Sequence, residues 1–257
     1  GSTAPMAFAA VRVISGAAVL ALLVGFRQGL PRFTGVGRFT GAGSLVLYLL
    51  GFSFAYISLD AGLGALILFG VVQITMFAGA VVSREQLPAL RWIGSVVALV
   101  GLAWLVWPND ASAPFLAVIS MGIAAVAWGV YSLLGRGASD ALGETAANFI
   151  CAVPPVLAVW LFVGGGIDLR GLVLGIVAGA LTSGLGYALW YTVLPSLDRT
   201  VAALAQLTVP VIAVAGGALV LQEAITAKLL LASAVILGGV ALGVLGPVQR
   251  SKGSSGS

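Results

Sequence analysis

Apolar and polar positions divide the chain into nine long apolar runs separated by short polar breaks. The runs cover roughly 5–25, 42–59, 61–82, 89–107, 113–134, 145–163, 171–194, 200–221 and 227–246. A helix that crosses a bilayer needs about 20 apolar residues, so each run predicts one spanning helix. No run shows the continuous polar face or ring of charges that a channel would need. The first run is longer than a signal-peptide core, carries Arg12 inside it and lacks a cleavage pattern, so it reads as a span as well.

Composition narrows the class further. The chain has 257 residues, 60% of them hydrophobic and 8% charged, and mean hydropathy is +1.15. Soluble domains carry about 25% charge, and so few charges could not clothe a water-soluble globule of this size. Soluble, disordered, fibrous and disulfide-framework classes are excluded. The fold class expected is an all-α integral membrane protein. There is no histidine and a single cysteine, Cys151, in an apolar run. His-based catalysis, His metal sites and an intrachain disulfide are therefore excluded. No Walker A pattern occurs, and no cofactor or metal is expected. The net charge of +4 does not point to nucleic acid, because the basic residues sit in short breaks between apolar runs.

Those basic residues orient the chain. With strict alternation, Arg27, Arg32, Arg38, Arg84, Arg91, Arg136, Arg199, Arg250 and Lys252 fall on one side. Only Arg170 and Lys228 fall on the other. The positive-inside rule makes the first side cytoplasmic, which predicts a cytoplasmic C-terminus in an inner or plasma membrane. The Gly/Ser-rich tail, 249–257, reads as a linker.

The chain also repeats itself. Ser58-Leu59-Asp60 recurs as Ser196-Leu197-Asp198, an offset of 196 − 58 = 138. The same offset carries Glu85 onto Glu223, Gly79 onto Gly217 and Gly101 onto Gly239. It aligns the runs at 42–59, 61–82 and 89–107 with those at 171–194, 200–221 and 227–246, and lays 145–163 over 7–25. The run at 113–134 has no partner, so its counterpart is expected ahead of Gly1. The domains expected are a first repeat over 1–108 and a second over 109–248. Five helices per repeat is an odd number, so the second repeat is inserted upside down. Two inverted five-helix repeats, nine spans visible and ten expected, is an architecture of secondary transporters, whose substrate site lies at mid-membrane.

Particular residues match a known family. The repeat ends Ser83-Arg84-Glu85-Gln86-Leu87 and Leu221-Gln222-Glu223-Ala224-Ile225 each precede a Gly-rich helix. Pro210, the Pro5 and Arg12 pair, and Trp190-Tyr191 complete the ordered set. On these residues the chain resembles the drug/metabolite transporter superfamily, specifically its EamA-type members, over about residues 5–246. It departs from the pattern at Val72-Gln73, where many members have proline. The resemblance implies ten helices in inverted repeats and export of small metabolites, amino acids first and drug-like cations next.

The candidate site residues are few. Arg12 is the one charge well inside a run. It serves either as a ligand for a substrate carboxylate or as a structural arginine satisfied by the chain itself. Gln73 and Gln206 are mid-span amides that hold substrate polar groups or tie helices together. Asn148 reads as helix glue. Tyr48, Phe52, Trp128, Tyr187 and Trp190 are candidate cavity-lining aromatics, with Tyr56, Tyr131 and Tyr191 beside them at helical spacing. Trp92, Trp104 and Trp107 read as an interfacial belt. Pro210 frees a carbonyl near Gln206 and marks a hinge. Gly175-x-x-x-Gly179 and Gly239-x-x-x-Gly243 allow close helix contact. All eight acids lie in loops or at span ends, which leaves no mid-membrane carboxylate for proton relay. The expected partners are a small-molecule substrate, an amino acid or similar, and the lipid bilayer, with a monomer as the working unit. An intramembrane enzyme lacks any converging catalytic cluster, and a nucleotide-sugar or phosphate-ester carrier would want more than one arginine.

Overall fold

The computed structural model describes residues 3–28, 38–59, 61–85, 87–106, 114–212 and 226–245. Their regular elements are all helical: α1 (Pro5–Gln28), α2 (Arg38–Ala55), α3 (Ala61–Val82), α4 (Ala89–Val106), α5 (Phe115–Arg136), α6 (Ala141–Val163), α7 (Leu169–Val177), a π-helical stretch (Ala178–Leu185), α8 (Gly186–Val193), α9 (Arg199–Gln206) and α10 (Ala227–Leu245). Among the described residues, five stretches are long and apolar enough to cross a membrane: Pro5–Arg27, Arg38–Ala55, Phe115–Arg136, Ala141–Val163 and Leu169–Ser196. Shorter apolar helices fill the remaining runs. Trp107, Arg32, Gln222, Glu223, Asp60 and the 249–257 tail lie outside the described residues.

Helix ends follow local chemistry. The Asp140 carboxylate accepts from the Gly143 N–H at 3.0 Å and caps α6, so that helix starts four residues ahead of the apolar run. Asp168 caps α7 through the Gly171 N–H at 2.6 Å, meeting donors that a helix start leaves unpaired. Gly164 and Gly165 adopt φ of +76° and +106° between these helices, backbone that a glycine takes without strain.

Two details differ from the sequence expectation. The run over 171–194 is not a uniform α-helix, because its middle turns are π-helical, with the Gly186 N–H bonded to the Leu181 carbonyl. The run over 200–221 breaks early: α9 stops at Gln206, Leu207 is a turn, and helix resumes over 208–212. Pro210 has no N–H to offer the Gln206 carbonyl, and the Thr208 hydroxyl donates to the Ala205 carbonyl at 2.7 Å.

The chain divides into two compact units, Gly1–Met76 with Pro108–Asp198, and Phe77–Trp107 with Arg199–Ser257. In the first, α1 packs along α6, α7 and the π stretch, while α2 packs along α5 and α6. In the second, α4 packs along α10, with α9 beside both. The 138-residue offset relates these contacts. α1 and α6 are repeat-mates in contact, as are α4 and α10. Gly41 and Gly179 are also mates (179 − 41 = 138). A Cβ on Gly41 would lie 2.7 Å from Asn148 Nδ2 of α6, and one on Gly179 would lie 2.5 Å from the Arg12 carbonyl of α1. Glycines set the α4–α10 contact too: a Cβ on Gly239 would fall 2.6 Å from the Ala98 nitrogen.

The second unit carries its own polar core. Arg91 is 2% exposed and its Nη1 donates to the Thr200 hydroxyl at 2.8 Å. Arg199 pairs with Glu85. The sequence reading placed Arg91 in a loop flank; it lies in the first turn of α4 and is buried against α9.

Candidate functional site

Arg12 lies in α1 seven residues after the helix-starting proline. Its Nε donates to the Ser183 hydroxyl at 2.8 Å, and Ser183, 1% exposed, belongs to the π stretch. Among the described residues this is the only hydrogen bond of the guanidinium, and no carboxylate pairs with it. Arg12 borders a cavity of about 260 Å³ whose other walls include Phe8, Leu49, Phe52, Ser53 and Tyr56. That volume lies just below the ~300–1,000 Å³ of drug-sized ligand sites and suits a small metabolite.

A continuous file of aromatic rings leads away from this cavity through the first unit. Tyr56 meets Phe52 at a ring separation of 4.7 Å, and Phe52 meets Tyr48 at 5.6 Å. Tyr48 lies 4.9 Å from Trp128, which meets Tyr187 edge-on at 5.2 Å. Tyr187 contacts Phe149 at 4.9 Å, Tyr131 at 6.5 Å and Tyr191 at 5.9 Å. Tyr131 and Tyr191 close the file at 5.2 Å. These separations fall in the range of favourable aromatic pairs. Among the described residues, the hydroxyls of Tyr131, Tyr187, Tyr191 and Ser132 are buried without a partner in hydrogen-bonding geometry.

The tie between α2 and α6 is polar. Arg38 Nη1 donates to the Glu144 carbonyl at 2.9 Å and to Asn148 Oδ1 at 3.0 Å, which gives Asn148 the gluing contact its position implied. Thr3 donates to Asp168 at 2.8 Å, bringing the start of α1 to the start of α7.

Of the residues singled out in the sequence, Arg12, Tyr48, Phe52, Trp128 and Tyr187 share one connected constellation. Gln73, 2% exposed, sits in α3 of the same unit, two residues before Thr75, whose side chain abuts Gly129 of α5. Among the described residues, Trp190 does not join the ring file, and its buried indole N–H has no partner. Gln206, 6% exposed, belongs to the second unit. The sequence reading passed over Phe149 and the Ser183 contact with Arg12. Neither carries a local mark: Phe149 is one apolar residue among many, and Ser183 lies 171 positions from Arg12.

Helices of spanning length with buried polar groups at depth define a multi-pass membrane protein. Residues 115–245 match the family model described as EamA-like transporter family. The chain is 41% identical over 244 residues to the uncharacterized protein PA1977 of Pseudomonas aeruginosa, covering 94% of this chain and 84% of that one. It is 20% identical over 248 residues to an uncharacterized transporter of Archaeoglobus fulgidus, covering 92% of this chain and 87% of that one. A crystal structure of a protein 20% identical to it has the same fold, with a TM-score of 0.81 over 95% of this chain and 90% of that one. The chain belongs to the EamA-like transporter family. It is thus a membrane transporter of small molecules, in a family of transporters rather than enzymes.

Proposed function

We propose that this protein exports amino acids or closely similar metabolites from the cytoplasm across the inner or plasma membrane, its C-terminus on the cytoplasmic face. The repeats, 1–108 and 109–248, are inverted relative to each other and rock about a mid-membrane cavity by alternating access. The observation that carries this reading is the small cavity bordered by an arginine that has no carboxylate partner among the described residues and continued by aromatic rings. Arginine suits a carboxylate, and an aromatic wall suits an apolar side chain. Arg12 and Gln73 hold polar groups. Tyr48, Phe52, Trp128, Tyr187 and Trp190 hold the side chain along its path.

Proteoliposome counterflow with a panel of labelled amino acids tests the proposal. Saturable exchange of one or more amino acids, reduced at least tenfold in Gln73→Ala and Trp128→Ala, is the expected result. No exchange of any amino acid, with saturable exchange of an organic cation instead, would overturn it. A reporter fused to the C-terminus and assayed for protease protection in intact cells checks the orientation separately.

A further inference from the structure

The π-helical stretch places a side chain that the α-helical register would not. Its bonds close over five residues instead of four, which adds one residue within the turn. At 3.6 residues per α-helical turn, one residue is about 100° of rotation. Residues after the stretch are therefore turned by about that angle relative to a continuous α-helix starting at Leu169. Isolated π turns recur at functional sites. Ser183 lies within the stretch, where the chain is departing from α-helical register, and meets Arg12 there, while Gly16 and Gly179 let the two backbones close up. A Cβ on Gly16 would lie 3.1 Å from Ser183 Cβ and 3.2 Å from the Gly179 carbonyl oxygen. The Thr182 hydroxyl bonds the Ala178 carbonyl at 2.5 Å, satisfying an acceptor within the π stretch.

The bond that results is directional. Ser183 engages Nε, the side edge of the guanidinium. The end edge, Nη1 and Nη2, keeps its parallel N–H pair, the fork that matches the two oxygens of a carboxylate. One fixed positive charge with no carboxylate beside it among the described residues balances one negative charge. A phosphate monoester dianion would bring an uncompensated charge to membrane depth, which is costly.

We infer that Ser183, set by the π stretch, is a positioning residue that holds Arg12 as an end-on fork for a monocarboxylate, so that the site takes carboxylate monoanions in preference to phosphate esters or organic cations. This rests on the transport reading for its biological setting, but the binding chemistry is tested without transport. The probe is the full-length purified protein in detergent, unfolded by heat with sodium acetate, methyl phosphate or tetramethylammonium chloride at matched ionic strength. Acetate is expected to raise the unfolding midpoint of the wild type, and the other two are not. Losing a hydrogen bond to a charged group predicts a roughly tenfold weaker acetate affinity in Ser183→Ala, with recovery in Ser183→Thr, which keeps the hydroxyl. Arg12→Gln should abolish the acetate effect, and adding Ser183→Ala to it should change nothing further. Should Arg12→Gln fail to fold, Arg12→Lys serves, because an ammonium keeps the charge and loses the fork. An absent acetate effect in the wild type, an effect that survives in Arg12→Gln or is unweakened in Arg12→Lys, equal stabilisation by methyl phosphate, or additive losses in the double variant would each overturn the inference. Acetate binding as expected together with no amino-acid counterflow would instead leave the carboxylate site standing and remove the amino-acid proposal.

Discussion

Gly179→Ala is the substitution that links packing to the site. In an ordinary helix interior, alanine is favoured over glycine by about 1 kcal/mol. At Gly179 a new Cβ would sit 1.8 Å from Ser15 Oγ, 2.5 Å from the Arg12 carbonyl oxygen and 3.0 Å from Ser15 Cβ. The hydroxyl can rotate at the cost of its 2.7 Å bond to the Val11 carbonyl, but the Arg12 carbonyl is backbone and cannot. Ordinary contact begins near 3.4 Å, so α1 and the π stretch must separate by about 3.4 − 2.5 = 0.9 Å. The same displacement along the Arg12–Ser183 direction would lengthen that 2.8 Å bond to about 3.7 Å, beyond hydrogen-bonding range. Overpacking of this kind costs about 1–3 kcal/mol. After the helical gain the net loss is up to about 2 kcal/mol, several degrees of unfolding midpoint at roughly 2–4 °C per kcal/mol. The assay is thermal unfolding beside Gly25→Ala and Gly122→Ala, where a Cβ meets nothing within 4 Å. Both controls should match or exceed the wild type by up to about 1 kcal/mol. A Gly179→Ala protein as stable as the two controls would refute the close approach and the argument built on it.

Three further expectations follow from the same structure. Gly239→Ala should destabilise the protein by about 1–3 kcal/mol, measured as a lowered unfolding midpoint, because its Cβ would meet the Ala98 nitrogen at 2.6 Å and the Gly94 carbonyl oxygen at 2.7 Å, all backbone. Tyr191→Phe should raise stability by about 1 kcal/mol, since it removes a hydroxyl that, among the described residues, is buried without a partner in hydrogen-bonding geometry and keeps the ring; a lowered midpoint would show that the hydroxyl is bonded. Asp168→Ala should cost about 1–2 kcal/mol through loss of the α7 cap and of the Thr3 bond, with Asp168→Asn recovering most of it in the same melt.

Helix positions were legible because an apolar run depends on local chain hydrophobicity. α3 covers the same residues as its apolar run, and α4 and α10 end within one residue of theirs. Membrane class followed from charge content. Small-residue spacing pointed to the right glycines, since Gly179 and Gly239 are points of backbone approach. Arg12, Tyr48, Phe52 and Trp128, which stood out as a charge or as aromatics at helical spacing in apolar runs, lie together in the candidate site.

What the sequence could not settle was which faces meet. These helices are apolar on nearly every side, so no amphipathic stripe marks a partner face as it would in a soluble bundle. The aromatic file joins residues of α2, α5, α6 and α8, and its order follows from helix packing alone. Arg91 reads as a flanking charge until α9 is laid against it. The partner of Arg12 depends on a change of helical register within 178–185, and a run of small residues there fits α and π geometry alike. The sequence determined that this chain is a helical membrane protein, because charge content and apolar length are decided within stretches of some twenty residues. The tertiary structure alone decided that Arg12 meets Ser183, because that contact depends on the rotation and close approach of two helices far apart in the chain.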